Sequence, residues 1–165
     1  MARCFRELFL PDDTYTKKLG YLLGEKLAPG SVILLQGDLG SGKTTLIQGL
    51  GKSLGITEAI ASPTFTLINE YTDVEIPLYH LDLYRLDQKQ VSSSLNPEIY
   101  WEGIEVAPGI TAIEWAERLP YKPDSYLEIN LTYTPKRGRQ ATLNVRGAND
   151  LSLDFLQCLV AVDNN

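Results

Sequence analysis

The first half of the chain places a helical stripe of leucines ahead of a short, continuous apolar run. Leucines spaced i, i+3, i+4 and i+8 predict an amphipathic helix that begins near Asp12 or Asp13 and is closed by Pro29 and Gly30. These leucines are Leu19, Leu22, Leu23 and Leu27. The run at residues 32–35 contains no polar position, which is typical of a strand buried on both faces of a parallel sheet.

A second helix is predicted a few residues after that strand, beyond a glycine-rich stretch. Leu46, Leu50 and Leu54 recur every four residues, and Gly55 is a natural stop. We therefore predict a helix over residues 45–54.

Short runs rich in β-branched and aromatic residues predict further strands in the second half of the chain. These strands cover residues 65–71, 76–83, 110–113, 127–133 and 141–145. The last two suit a β-hairpin around residues 135–139. Between residues 87 and 108 the pattern is weak, apart from a short helix around residues 97–101. Asn149 or Asp150 could cap a closing helix, whose apolar positions are Leu153, Leu156 and Leu159.

Length and composition favour one globular domain over the whole chain, residues 1–165. The chain has 165 residues, of which 44% are hydrophobic and 22% charged, so it can bury a single sizeable core. We expect the core to span about residues 8–146, with residues 147–165 forming a closing helix or tail.

The net charge and the cysteines limit which partners and which cellular compartment we expect. The net charge is −6 and the only dense basic stretch is residues 136–139, whereas a protein that grips RNA by its phosphates usually presents a basic face. The sequence lacks a signal-like core and a bilayer-length apolar run. Cys4 and Cys158 have neither metal-ligand spacing nor a disulfide framework, so we expect a cytoplasmic protein without a membrane partner.

The glycine-rich stretch is the most informative part of the sequence, because it fits G-x-x-x-x-G-K-[ST] in full. Its residues are Gly37, Asp38, Leu39, Gly40, Ser41, Gly42, Lys43 and Thr44, with Thr45 following. In such a loop the backbone N–H groups and the helix N-terminus bind phosphate oxygens. Lys43 would reach the β- and γ-phosphates, and the Thr44 hydroxyl would ligate Mg²⁺. The pattern predicts an α/β protein of the P-loop NTPase type, with a mixed, mostly parallel sheet flanked by helices and a C-terminal β-hairpin.

Such a site needs an acidic residue at the carboxyl end of a neighbouring strand to complete the Mg²⁺ shell. Asp82 and Glu114 both follow predicted strands. Glu114 is the better candidate for the metal, and Asp82 could orient the attacking water or hold a metal-bound water.

Other polar and aromatic residues have open roles. His80, the only histidine, could be structural, and Arg85 could pair with Asp82 or with phosphate. Trp115 could pack over the site, face a partner or be buried in the core. Thr64 could sense the γ-phosphate or simply satisfy a turn. The basic turn around Arg139 could be solvated or contact phosphate or RNA.

Four segments together resemble the TsaE family, the small P-loop ATPases of bacterial tRNA threonylcarbamoyladenosine modification. They are the loop at residues 37–45, Ser62-Pro63-Thr64-Phe65-Thr66-Leu67, Tyr79-His80-Leu81-Asp82-Leu83-Tyr84-Arg85-Leu86 and Ile113-Glu114-Trp115. The likeness spans roughly residues 8–145. The stretch from 88 to 108 and the tail after Gly147 depart from the family pattern.

The resemblance implies ATP and ADP as ligands, Mg²⁺ held by Thr44 and Glu114, and an Asp82 needed for hydrolysis. It also implies that Thr16 lies near the nucleotide base and that Arg139 approaches the nucleotide. The expected function is weak, partner-stimulated ATP hydrolysis that supports TsaB and TsaD, with tRNA reached only through that complex. The alternatives are a small-molecule kinase and a nucleotide-dependent binding module in which hydrolysis is incidental.

Overall fold

The computed structural model describes residues 4–159 and has a seven-stranded sheet in the order β1-β7-β6-β2-β5-β4-β3. The strands are β1 (Phe5–Leu10), β2 (Val32–Gln36), β3 (Ile68–Tyr71), β4 (Leu78–Asp82), β5 (Ile110–Glu114), β6 (Tyr126–Tyr133) and β7 (Arg139–Arg146). The helices are α1 (Asp13–Lys26), α2 (Lys43–Ser53), α3 (Gln88–Ser94) and α4 (Glu98–Glu102). Two 3₁₀ helices cover Ala116–Arg118 and Asp154–Leu159.

The sheet is mixed and mostly parallel, as predicted. Strands β6, β2, β5 and β4 are mutually parallel, while β7 and β3 run antiparallel to their neighbours. β6 and β7 form the predicted C-terminal hairpin. The carboxyl ends of β2, β5 and β4 therefore meet at one edge, which is where ligands bind in open α/β sheets.

Two apolar layers cover the sheet. On one face, Ile33 and Leu35 of β2 pack with the helices α1 and α2 and with the 3₁₀ helix at Asp154–Leu159. On the other face, Val32 and Leu34 pack with residues of β4 and of the segment that carries α3 and α4. This in-and-out alternation explains the unbroken hydrophobic run of β2, since both faces of the strand are buried.

The predicted α1 is confirmed. Asp12 is the N-cap, since its side chain accepts a hydrogen bond from Tyr15 N at 3.0 Å. α1 and α2 cross with their backbones in contact: a Cβ on Gly20 would lie 1.9 Å from Leu46 O, and one on Gly49 would lie 1.9 Å from Lys17 O. Larger side chains at these glycines would separate the helices and shift α2.

Several element boundaries differ from the prediction. α2 begins at Lys43 rather than at residue 45. β3 begins at Ile68 rather than at residue 65, because residues 64–67 form a turn in which Leu67 N bonds to Pro63 O at 2.7 Å. The closing segment is a 3₁₀ helix; the Asn149 side chain accepts from Leu151 N, ahead of it. The predicted tail at residues 147–165 lies partly outside the described residues.

One strand and one α-helix were missing from the prediction. β1 alternates buried Arg6, Leu8 and Leu10 with exposed residues, but Phe5 and Phe9 on the exposed side hide that alternation. α3 buries only Val91 and so has no apolar stripe, although Asp87 and Gln90 form a capping box. Within residues 4–159, no helix combines the length and apolar character needed to cross a bilayer.

Candidate nucleotide site

The glycine-rich loop connects β2 to α2 and is shaped for close approach of a ligand to its backbone. Gly37 and Gly42 have φ values of 149° and 107°, in the region that favours glycine. Gly42 is the N-cap of α2 and supplies no side-chain hydrogen bond. Because the first N–H groups of an α-helix lack intrahelical acceptors, the start of α2 presents donors and the positive end of the helix dipole. Both features suit an anion such as phosphate.

Lys43 is folded back onto this loop. Its Nζ donates to Gly37 O at 2.5 Å and to Asp38 O at 3.0 Å, and it lies 4.4 Å from the centroid of the Trp115 ring. The residue is only 4% exposed. Burial lowers the pKa of Lys43, while nearby carboxylates, Glu114 foremost, act in the opposite direction. An ammonium held by backbone carbonyls is the kind of cation that an incoming polyphosphate can attract.

Thr44 and Glu114 meet beside the loop. The Thr44 hydroxyl donates to Glu114, with Oε1 at 2.9 Å and Oε2 at 3.1 Å. Glu114 ends β5, which pairs in parallel with β2, and this register brings the carboxylate to the start of α2. A hydroxyl and a carboxylate are hard oxygen donors of the type that Mg²⁺ takes. Residues 4–159 hold no group of three His, Cys, Asp or Glu suited to a metal, so an ion here would also need phosphate oxygens.

Asp82 lies next to Glu114, since the two residues are paired at the ends of β4 and β5. Its Oδ1 accepts from Tyr84 N at 2.9 Å, and its Oδ2 accepts from the Ser62 hydroxyl. Thr64 in turn donates to the Ser62 hydroxyl at 3.3 Å. The loop that contains Ser62 and Thr64 is thus tied to Asp82, a connection that the sequence did not indicate.

A cleft of about 270 Å³ joins these groups. Lys43, Thr44, Thr45, Asp82 and Glu114 line it, with Thr64 and Trp115. Leu39 is 71% exposed at its rim, and Ser41, within the loop, is buried. Clefts of about 510 and 700 Å³ near the start of β2, and one of about 460 Å³ between α1 and α2, contain none of the predicted site residues.

Arg139 and Thr16 lie together on the other side of the loop. Arg139 Nη1 donates to Asp13 Oδ1 at 2.6 Å and lies 3.2 Å from the Thr16 hydroxyl. A Cβ on Gly42 would come within 2.9 Å of the same guanidinium nitrogen, so Arg139 covers the start of α2. Thr16 is fully buried. Tyr133 bonds to Gly40 O and lines, with Asp13 and Arg139, an adjoining cleft of about 300 Å³.

The residues with open roles fall into two groups. His80 and Trp115 belong to the site: His80 Nε2 lies 2.6 Å from Glu114 Oε2, and the Trp115 ring lies over Lys43. Arg85 does not pair with Asp82 in the described part of the chain; it lies over the Phe65 ring at 4.1 Å.

Comparison with known proteins decides the family. A family model described as "Threonylcarbamoyl adenosine biosynthesis protein TsaE" matches residues 10–141. The chain belongs to the TsaE family. A relative named tRNA threonylcarbamoyladenosine biosynthesis protein TsaE in Nostoc sp. is 66% identical over 137 residues, which cover 83% of this chain and 84% of the relative. A Bacillus subtilis relative of the same name is 38% identical over 133 residues, covering 80% of each chain.

A solved structure agrees with this family assignment. The crystal structure of Bacillus subtilis YdiB matches with a TM-score of 0.72 at 32% identity, covering 89% of this chain and 88% of that one. The TsaE names of the relatives do not favour the small-molecule kinase that the glycine-rich loop alone left open.

Arg118 is a residue of this TsaE-family chain that the sequence analysis missed. Its Nη1 donates to Tyr84 O and, at 3.2 Å, to Leu86 O, and its guanidinium lies 5.5 Å from the Trp115 ring centroid. It therefore links the loop after β5 to the loop after β4, where Tyr84 N holds Asp82. Arg118 lies in no phosphate-site motif, so only the spacing Glu-Trp-Ala-Glu-Arg after β5 could have drawn attention to it.

Replacing Arg118 by Ala should loosen the loop at residues 83–86. Hydrogen bonds from a charged donor contribute about 1.5–3 kcal/mol, and we expect the lower end here because Arg118 is half-buried. Hydrogen exchange of peptides from that loop should accelerate by about tenfold, as 1.4 kcal/mol predicts. Arg118→Lys keeps the positive charge and loses the planar guanidinium group. It should give an intermediate rate of hydrogen exchange. Unchanged exchange in both variants would show that Arg118 does not order the loop.

Proposed function

We propose that this chain is the ATP-binding and ATP-hydrolysing component of the machinery that makes threonylcarbamoyladenosine in tRNA. The proposal is supported chiefly by one observation: the Thr44 hydroxyl and the Glu114 carboxylate converge beside the glycine-rich loop, with Asp82 on the adjacent strand. Membership of the TsaE family gives the pathway. The partners would be TsaB and TsaD, and tRNA would be reached through them.

Binding of ATP would use the loop and the start of α2. N–H groups of residues 37–45 would contact the phosphate oxygens, and Lys43 would exchange its bonds to Gly37 O and Asp38 O for bonds to phosphate. Thr44 and Glu114 would hold Mg²⁺, which neutralises negative charge on the phosphate oxygens when bound. Thr16 and Arg139 would face the nucleoside side, where their cluster lies beside Gly42.

Asp82 would orient the attacking water. A carboxylate has about four acceptor positions, and Tyr84 N and Ser62 take two of them. The remaining lone pairs can accept a hydrogen bond from water. Hydrolysis then depends on this carboxylate for placement and on Lys43 for charge stabilisation.

The chain alone should be a slow ATPase. Of the described residues, no arginine lines the cleft that holds Asp82 and Glu114, and Arg139 is paired with Asp13 outside it. An arginine supplied to the transferring phosphoryl group is worth about 10³–10⁵ in kcat, so a site without one leaves room for stimulation. A partner that supplies charge or orders the Ser62–Thr64 loop would raise the rate.

We expect TsaB and TsaD together to raise kcat for ATP hydrolysis by at least about tenfold, against a possible gain of several orders of magnitude. Phosphate release should be measured with the chain alone, with each partner and with both. Depletion of the chain in cells should lower threonylcarbamoyladenosine in bulk tRNA. A fast rate that is indifferent to both partners, or a phosphorylated product from a metabolite panel, would contradict the proposal.

A further inference from the structure

His80 makes a polar contact inside the sheet that the proposed roles of the other residues do not use. It lies on β4 two positions before Asp82, so the two side chains share one face of the strand. The residue is fully buried, and its Nε2 lies 2.6 Å from Glu114 Oε2. Glu114 itself is only 3% exposed.

The chemistry of the pair indicates which nitrogen donates. An ionised carboxylate only accepts hydrogen bonds, so beside ionised Glu114 the Nε2 atom of His80 carries the proton. Nδ1 is buried and has no hydrogen-bond partner among residues 4–159. The bond to Glu114 is therefore the single polar interaction that offsets the burial of the imidazole.

The contact restricts the orientation of the Glu114 carboxylate. The last torsion of a glutamate side chain is broad, so an unheld carboxylate rotates easily. Here His80 Nε2 lies 2.6 Å from Oε2, while the Thr44 hydroxyl lies 2.9 Å from Oε1 and 3.1 Å from Oε2. His80 thus holds the carboxylate from the protein interior, and Thr44 contacts it from the side of the glycine-rich loop.

We propose that His80 is a positioning residue: its Nε2–H holds the Glu114 carboxylate in the orientation at which Glu114 and Thr44 together take a divalent cation. This inference rests on the proposed function, because it assigns His80 to the Mg²⁺ site of the same nucleotide cleft. Outer hydrogen-bond partners of metal ligands typically change metal affinity by about 10–100-fold when removed.

Two substitutions with side chains of similar length distinguish the loss of the N–H donor from the loss of packing. His80→Gln keeps an N–H donor near the position of Nε2, whereas His80→Met fills the buried space with no donor. ATP binding should be measured by calorimetry at increasing Mg²⁺ and, separately, in EDTA. We expect His80→Met to raise the half-saturating Mg²⁺ concentration by about tenfold or more, and His80→Gln by less than about threefold. ATP affinity in EDTA should be the same in all three proteins.

A double-mutant cycle with Glu114→Gln tests whether His80 acts through Glu114. In that background His80→Met should cause no further change in the Mg²⁺ requirement, because the carboxylate that it positions is gone. His80→Asn, whose amide ends short of Glu114, replaces His80→Met if the latter does not fold. A purely structural role would lower the melting temperature of the variants and leave their Mg²⁺ requirement equal to that of the wild type. That result would overturn the inference.

If the proposed function is wrong, the same binding measurements give a different result. Wild-type protein that binds no ATP, or whose ATP affinity does not respond to Mg²⁺, would contradict the nucleotide site itself. Mg²⁺-dependent ATP binding by the wild type, with an equal Mg²⁺ requirement in His80→Met and His80→Gln, would contradict only the role of His80.

Discussion

Asp82→Asn should reduce kcat for ATP hydrolysis by about 10²–10³, while the Kd for ATP changes by less than about threefold. The two effects separate because Asp82 accepts its hydrogen bonds from Ser62 and Tyr84, which lie outside the glycine-rich loop. An asparagine preserves the size of the side chain and its acceptor for Tyr84 N. It removes the negative charge that we propose orients water. Phosphate release and calorimetry with ATP measure the two quantities.

Ser62→Ala provides the matched control for Asp82→Asn. It removes the hydroxyl that donates to Asp82 Oδ2 and keeps the carboxylate itself. If the carboxylate acts on water, Ser62→Ala should lose about tenfold or less, well short of the Asp82 effect. Equal losses would mean that Asp82 acts mainly as an anchor for the Ser62–Thr64 loop.

The same variant decides whether hydrolysis is needed in cells. Cells that carry only Asp82→Asn should contain little threonylcarbamoyladenosine in bulk tRNA. Normal modification with a protein that binds ATP and does not hydrolyse it would favour a nucleotide-dependent binding module.

The elements that carry the predicted site were largely predictable, because each produces a local pattern. The glycine-rich loop, the apolar run of β2 and the leucines of α2 are contiguous in sequence. The neighbourhood of Asp82 and Glu114 followed from a general rule, since residues at the carboxyl ends of parallel strands share one edge. The structure pairs these two residues directly.

The contacts among these elements were not predictable, because strand register decides them. His80 meets Glu114 across 34 residues of sequence, and Arg139 meets Asp13 across 126. A slip of one residue in β4 would turn His80 to the opposite face of the sheet. The apolar pattern does not fix that register, because β4 is buried along its whole length and has no exposed face. β1 was not predicted for a related reason: its exposed phenylalanines conceal the alternation of buried and exposed residues.

Lys43→Met should abolish measurable ATP binding, with a loss of affinity of at least about 100-fold. The substitution removes the one cation that lies between the glycine-rich loop and the two carboxylates, as far as residues 4–159 are concerned. Without it, no cationic side chain among the cleft-lining residues offsets the charges of Asp82 and Glu114 as phosphates approach. Lys52→Met is the matched control, because Lys52 is exposed in the last turn of the same helix and should leave ATP affinity unchanged.

Stability should respond to Lys43→Met in the opposite sense from function. Burial lowers the pKa of Lys43 below its usual 10.5, so the ionised side chain costs folding free energy at neutral pH. In the wild type this cost disappears as pH rises through the lowered pKa towards 10.5, since the unfolded chain then holds more protons than the folded one. We therefore expect Lys43→Met to melt no lower than the wild type at pH 7, with any advantage shrinking towards pH 10.5.

A variant that melts lower and binds no ATP would instead indicate that the Lys43 bonds to Gly37 and Asp38 hold the loop together. A variant that binds ATP normally would contradict the proposed nucleotide site, whatever its stability.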